Sequence, residues 1–216
     1  MREKLINDKW QNVTVNFEDN HFDWVIADPP YFKGPEKSHF YGNKKSSSGV
    51  ERLCGSIDAW DIPTIENYKE LCRISKNQII WGINYFEEFN HIVGSGRLIW
   101  DKKNTSSTFS NCEIASVSSI KSVKLFSFMW NGMITQTKIN KKRIHPTEKP
   151  CELYMWMYES FVKKGETVFD PYGGSMSSVI AADMCNVDII AVEADKAMFD
   201  KAVQRIKTRR SQLKLF

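Results

Sequence analysis

An α/β fold on a mostly parallel, Rossmann-like sheet is predicted by three observations. Three short apolar runs each end in an acidic residue followed by turn chemistry, as buried parallel strands do when they deliver side chains to the carboxyl edge of a sheet. Stretches of helical periodicity fall between and after these runs. The length of 216 residues suits one domain with a sizeable core and leaves little room for a separate recognition domain.

Taken in order, the first run is Phe22 to Ala27, ending at Asp28. Thr64 to Ser75 is predicted helical behind Pro63, with Thr64 as its N-cap. Asn77 to Ile83 and Arg97 to Trp100 read as strands, and Glu113 to Ser118 with Val123 to Met129 as a hairpin or meander. Cys151 to Lys164 is a helix after Pro150, with Leu153, Trp156, Met157 and Phe161 on its buried face. The second run, Thr167 to Phe169, ends at Asp170 and leads into a helix over Ser177 to Cys185. The third, Ile189 to Val192, ends at Glu193, and Ala197, Ala202, Val203 and Ile206 mark a last helix. The polar segment from Lys33 to Gly55 carries Lys44, Lys45 and Arg52 and reads as a long loop within the domain.

A composition of 42% hydrophobic and 26% charged residues is that of a folded protein. A net charge of +4 permits nucleic-acid binding without establishing it. Five cysteines without a Cys-x-x-Cys pair argue against a disulfide framework or a zinc site and fit a reducing cytosol. The N-terminus has no apolar signal-like region, and no run approaches the length of a membrane span, so no membrane association is expected.

The strongest local signal is Asp28-Pro29-Pro30-Tyr31 directly after the first strand. Two prolines fix an extended turn and hold a carboxylate and an aromatic ring on one rim. Such a rim suits a flat ring bearing an amine. The lone pair of a conjugated amine is delocalised, and the Asp28 carboxylate with the Pro29 carbonyl can accept its two protons and turn the nitrogen toward tetrahedral geometry. Tyr31 would stack on the ring. A proline-stiffened Asx turn without function is the competing explanation of the same residues.

The second signal is Phe169-Asp170-Pro171-Tyr172-Gly173-Gly174-Ser175, a strand turning through two glycines into a helix, as where backbone approaches a ligand closely. Glu193, nineteen residues beyond Gly174, ends the next strand, where a carboxylate commonly holds ribose hydroxyls. The full G-x-G-x-x-G pattern and a Walker lysine are both missing, so a nucleoside cofactor without phosphates to cradle is implied.

Together these motifs resemble the DNA amino-methyltransferases, and their order, target motif before cofactor motif, resembles the β class. In that family D-P-P-Y clamps a flipped base and an F-x-G-x-G-like motif cradles S-adenosyl-L-methionine. The matching residues here are Asp28 to Tyr31 and Tyr172 to Met176, with Met176 in place of the last glycine. His145-Pro146-Thr147-Glu148-Lys149-Pro150 is similar to the family's H-P-T-x-K-P segment beside the methionine portion of the cofactor. Thr147 and Lys149 are then the candidates for that portion's carboxylate. Leu5 to Asp8 resembles the short strand whose aspartate lies near the cofactor adenine, which adds Asp8.

Asn77 to Phe86 and Trp100 to Lys102 look like segments of phage-type adenine methyltransferases and tilt the expected target to N6 of adenine. The resemblance implies a seven-stranded, mostly parallel sheet with helices on both faces and a circularly permuted motif order. It also implies double-stranded DNA as partner, base flipping, and self-association as a homodimer. Candidate DNA-recognition regions are the loop 33–55 and the segment 130–144, which holds the basic run Lys138 to Arg143. The alternatives are N4-cytosine methylation, an RNA or protein amino-methyltransferase, and an inactive nucleic-acid-binding protein on the same fold. C5-cytosine chemistry needs a cysteine nucleophile, and the one Pro-Cys pair, Pro150-Cys151, follows the H-P-T-x-K-P segment.

Overall fold

The computed structural model describes residues 3–31, 61–104, 110–131, 134–137, 139, 143–145 and 147–213. The expected loop 33–55 and Lys138, Pro146 and residues 140–142 lie outside them. In chain order the elements are β1 (Glu3–Asn7), α1 (Trp10–Thr14), β2 (Phe22–Ala27), α2 (Ile65–Arg73), β3 (Ser75–Trp81), β4 (Arg97–Asp101), β5 (Cys112–Val117), β6 (Val123–Ser127), β7 (Trp130–Asn131), β8 (Ile134–Thr135), α3 (Cys151–Phe161), β9 (Thr167–Asp170), α4 (Ser177–Cys185), β10 (Asp188–Glu193) and α5 (Lys196–Leu213). Two short 3-10 turns, Ile83–Tyr85 and Glu87–His91, follow β3.

Eight strands form one open sheet in the order β1-β10-β9-β2-β3-β5-β4-β6. β1, β10, β9, β2 and β3 run parallel, and β5 is antiparallel to both of its neighbours. The α/β class is as expected, but the sheet has eight strands where seven were expected. The expected pairing of β5 with β6 is also corrected. Both edges of β5 are taken, by β3 and by β4, so β6 adds in parallel to the free edge of β4. Turn residues mark where strands end, whereas the partner is set by which backbone edge is open.

Strands buried on both faces explain the continuous apolar runs. Trp24 and Ile26 of β2 face one core layer, with Tyr158 of α3, Val179 of α4 and Ile206 of α5. Val25 and Ala27 face the other, with Trp10 of α1 and Tyr68 and Leu71 of α2. The period-2 alternation of a strand divides one run between two layers, and each fully buried Ile or Phe contributes about 1.5–3 kcal/mol. α2 begins at the expected N-cap, where the Thr64 hydroxyl accepts from Asn67 N and the Asn67 side chain reciprocates. β3 stops at Trp81 because Gly82 takes φ 70°. α3 stops at Phe161, short of the expected Lys164, where Val162 turns extended.

The chain leaves β2 toward β3 on one side, while β9, β10 and β1 lie on the other. A crevice opens at such a switch, outside the carboxyl ends of the strands. Register places Asn7, Glu193 and Asp170 along that edge, beside the end of β2, where Asp28 follows.

Candidate functional site

The switch point positions two motifs on one cavity. Asp28, Pro29, Pro30 and Tyr31 line it from the end of β2, and Pro171 to Ser175 and Glu193 line it from β9 and β10. His145, Thr147, Lys149 and Tyr154 enclose it from the α3 side, and Lys9 to Gln11 from α1. The space is about 990 Å³, open solvent included.

On the rim, the Tyr31 ring stacks on Tyr85 at 4.6 Å and 3°. Burial raises the Tyr31 phenol far above its usual range, so it stays protonated. A second cavity adjoins Tyr31, lined also by Gly82, Tyr85, Asn111 and Glu113.

Behind the rim is a buried line of alternating charge. Lys149 Nζ lies 2.5 Å from Asp28 Oδ1 and 2.9 Å from Glu113 Oε2, and Lys102 Nζ is 2.5 Å from Glu113 Oε1. The Lys149 side chain is only 3% exposed and lies 5.5 Å from the centre of the Trp81 ring. Burial opposes the Lys149 charge, but Asp28 and Glu113 outweigh it and raise its pKa. Burial likewise raises Glu113, yet Lys149 and Lys102 hold its carboxyl down at about 2. Asp28 stays above the usual carboxylate range because burial, with help from Glu113, exceeds the pull of Lys149.

The glycine turn is tightly held. Gly173 N donates to Val192 O at 2.7 Å, and a Cβ on Gly173 would lie 3.1 Å from that oxygen. Gly174, at φ 50°, donates its N–H to Glu193 Oε2 at 2.7 Å, and Asp195 N donates to Oε1 at 2.8 Å. Met176 adopts φ 54° and ψ 37° as the N-cap residue of α4, with its side chain fully buried. The left-handed backbone that favours glycine is therefore kept at the position where the family pattern has one. Asp170 braces the turn: Oδ1 accepts from Tyr172 N at 3.0 Å and Oδ2 from the Ser178 hydroxyl at 2.5 Å. Burial pushes its carboxyl up to about 7.

The His145 ring packs against Gly174, and its Nδ1 receives the Thr147 N–H at 3.3 Å and faces the Thr147 hydroxyl at 3.2 Å. Burial holds His145 down at about 4, so the imidazole is neutral at pH 7. Glu148 is buried and accepts from Ile144 N at 3.0 Å and from Arg205 Nη1 of α5 at 2.7 Å. Arg205 also donates to Ser175 O, so α5 ties both cavity-lining segments together.

Lys149 is engaged differently than expected, and Asp8, Phe169 and Asp170 lie outside the cavity lining. Lys149 lines the cavity, but its ammonium is engaged by Asp28 and Glu113. Asp8 is exposed and spends Oδ1 on Lys9 N and Asn12 Nδ2, away from the cavity lining. Phe169 points into the core and stacks on Phe22 at 4.9 Å. Sequence reasoning missed Glu113, Lys102, Tyr85, Tyr154 and Arg205. Glu113 had one available signal, an acidic residue opening an otherwise apolar strand. Among the described residues no group of three or more His, Cys, Asp or Glu side chains could hold a metal ion, and no helix is long and apolar enough to cross a membrane.

Residues 101–204 match the N6_N4_Mtase family, described as DNA methylase. The matched stretch contains Glu113, His145 to Lys149, the glycine turn and Glu193, and leaves out Asp28. The fold is similar to that of M1.HpyAVI in complex with SAM, with 20% identity over 94% of this chain and 99% of that one, at a TM-score of 0.57. It is also similar to the cytosine-N4-specific PvuII DNA methyltransferase, with 10% identity over 95% and 86%, at a TM-score of 0.62. TTHA0409 of Thermus thermophilus, a putative DNA modification methylase complexed with S-adenosyl-L-methionine, aligns at 16% identity over 97% and 96%, with a TM-score of 0.54. No curated protein sequence matches significantly. The matched family domain and the neighbouring folds are those of DNA methyltransferases.

Proposed function

We propose that the protein is an S-adenosyl-L-methionine-dependent DNA methyltransferase that modifies N6 of an adenine flipped out of the duplex. The observation that carries this reading is that the Asp28 to Tyr31 rim and the Gly173 to Glu193 turn line one cavity at the switch between β2 and β9. The cofactor fits the residues present. Gly173 and Gly174 bring backbone without side chains to the cavity wall, Glu193 offers a half-buried carboxylate to ribose hydroxyls, and Trp10 and Tyr172 give an aromatic wall. With the Lys149 ammonium engaged, the hydroxyls of Thr147, Ser175 and Ser177 are donors in the lining that can serve the carboxylate of the methionine portion. When bound, the sulfonium supplies an electrophilic methyl group and leaves as a thioether.

The protein's own part is orientation. Asp28 and the Pro29 carbonyl accept the two amine protons, which localises the nitrogen lone pair for attack. Tyr31, backed by Tyr85, stacks on the base. Asp28 is held above the ordinary carboxylate range and so can take up the proton that nitrogen sheds after the N–C bond forms.

The preference for adenine rests on the resemblance of residues 77–86 and 100–102 to adenine-specific enzymes. N4 of cytosine is the second reading, favoured by the likeness to a cytosine-N4-specific fold. The duplex would be gripped by the basic segments 33–55 and 138–143, and a homodimer is the proposed assembly. The test is to incubate the protein with unmethylated duplex DNA and methyl-labelled cofactor and identify the nucleosides by mass spectrometry. N6-methyladenine is expected. N4-methylcytosine would keep the mechanism and change the base. Cofactor binding without labelled DNA would overturn the reading and direct the search to RNA, protein or binding alone.

A further inference from the structure

Lys149 and Glu113 belong to neither the amine clamp nor the glycine turn, yet their charges are buried against Asp28. Burying an ion pair carries a desolvation cost that mutual attraction repays only when the geometry is good and the remaining polar positions are satisfied. Here one ammonium is shared by two carboxylates, at 2.5 Å from Asp28 Oδ1 and 2.9 Å from Glu113 Oε2. Lys102 occupies the other oxygen of Glu113, so Glu113 cannot turn away from the line. The residues come from separate elements: Asp28 follows β2, Glu113 lies on β5, Lys102 follows β4, and Lys149 precedes α3. The backbone after Asp28 is stiffened by two prolines, so the remaining freedom is rotation of its carboxyl group.

We propose, resting on the methyltransferase reading, that Lys149 and Glu113 are positioning residues for Asp28. The ammonium pins Oδ1 and leaves the second oxygen for the amine, and Glu113 pulls from the opposite side to limit how far Lys149 quenches the Asp28 charge. Removing either residue shifts the balance in opposite directions. Without Lys149, Asp28 loses its pin and faces Glu113 across a desolvated gap, which favours the protonated acid, a poor acceptor. Without the Glu113 charge, Lys149 turns wholly to Asp28, which becomes a weaker base. The other groups facing Asp28 are Asp170 on β9 and the phenols of Tyr31 and of Tyr154 on α3. The phenols stay neutral, and burial, with a smaller push from Asp28 itself, raises the Asp170 carboxyl to about 7.

The test follows the Asp28 carboxyl by carbon-13 NMR in the free full-length protein, together with the pH profile of single-turnover methyl transfer. Lys149→Met is expected to raise the Asp28 midpoint by about one pH unit or more, and Glu113→Gln to lower it, since neighbouring charges within 4–6 Å act on this scale. Transfer near neutral pH should fall about 10²-fold in Lys149→Met, as for a misplaced reacting group, with cofactor Kd within about threefold. The acid limb of each profile should move with its NMR midpoint. Midpoints that stay put, or that move in the same direction in both variants, overturn the proposal. So does a Lys149→Met protein that loses cofactor affinity with its transfer rate intact. If Lys149→Met does not fold, the nearly isosteric Glu113→Gln decides alone by the sign of its shift. Opposite NMR shifts in a protein that methylates nothing would leave the charge coupling standing and sink the methyltransferase reading instead.

Discussion

A Cβ placed on Gly82 would lie 2.4 Å from Cδ1 of Tyr31, so the ring that caps the site occupies the space of a missing side chain. Gly82 also holds φ 70°, a conformation other residues adopt at a cost of about 1 kcal/mol or more. Both constraints act on the Tyr31 side of the cavity. Gly82→Ala is expected to displace Tyr31 and slow methyl transfer by about 10- to 100-fold. Cofactor Kd should stay unchanged, because the glycine turn at Gly173 is on another strand. Single-turnover rates alongside equilibrium cofactor binding check this.

The two halves of the cavity should separate under mutation. Asp28→Asn removes the charged acceptor and is expected to lower transfer by about 10²-fold or more, with cofactor affinity within about threefold. Glu193→Ala is expected to weaken the cofactor about tenfold or more, because it removes both the carboxylate and the brace on Gly174 N. A full-rate Asp28→Asn enzyme would dismiss the amine clamp.

Met176 carries opposing contributions. Its φ of 54° is strained for a side chain, and glycine would relieve about 1 kcal/mol. Its side chain is fully buried, and truncating such a group costs about 2–5 kcal/mol. The packing loss is larger, so Met176→Gly should lower stability by roughly 1–4 kcal/mol, although it completes the F-x-G-x-G-like pattern that this segment resembles. Urea unfolding measures the sign.

His145 should remain neutral to about pH 4, which histidine NMR reads directly. Its folded value of about 4 lies below the ordinary 6.5. The unfolded chain therefore binds the proton first, and stability falls as pH drops from 6.5 toward 4, by at most about 1.4 kcal/mol per unit. Asp170 has the opposite sign. Its folded value of about 7 exceeds the ordinary 3.8, so its contribution falls as pH rises through that interval. The histidine effect should therefore stand out in an Asp170→Asn protein, as a urea midpoint that declines below pH 6.5.

Most of the edge that carries the site was legible in the sequence. Apolar runs ending at Asp28, Asp170 and Glu193 became β2, β9 and β10, because strands buried on both faces need uninterrupted apolar residues. The rim and the glycine turn were legible because proline and glycine restrict or free the backbone locally, whatever surrounds them. The same local logic placed the N-cap at Thr64 and the start of α3 behind Pro150.

What the sequence by itself determined was therefore local: strand ends, turn chemistry, and the residue types delivered to one edge. Tertiary structure decided what lies across that edge. Glu113 is 36 residues from Lys149 in the chain, and Asp28 is 121. Their meeting depends on β5 inserting antiparallel beside β3 and on the α3 side closing over β2. Pairing of β6 with β4 was likewise a matter of which strand edge remained open. The environment that turns Lys149 from a ligand donor into a pin on Asp28 arises only when burial removes water from both. No single residue's neighbours in sequence encode that loss of solvent.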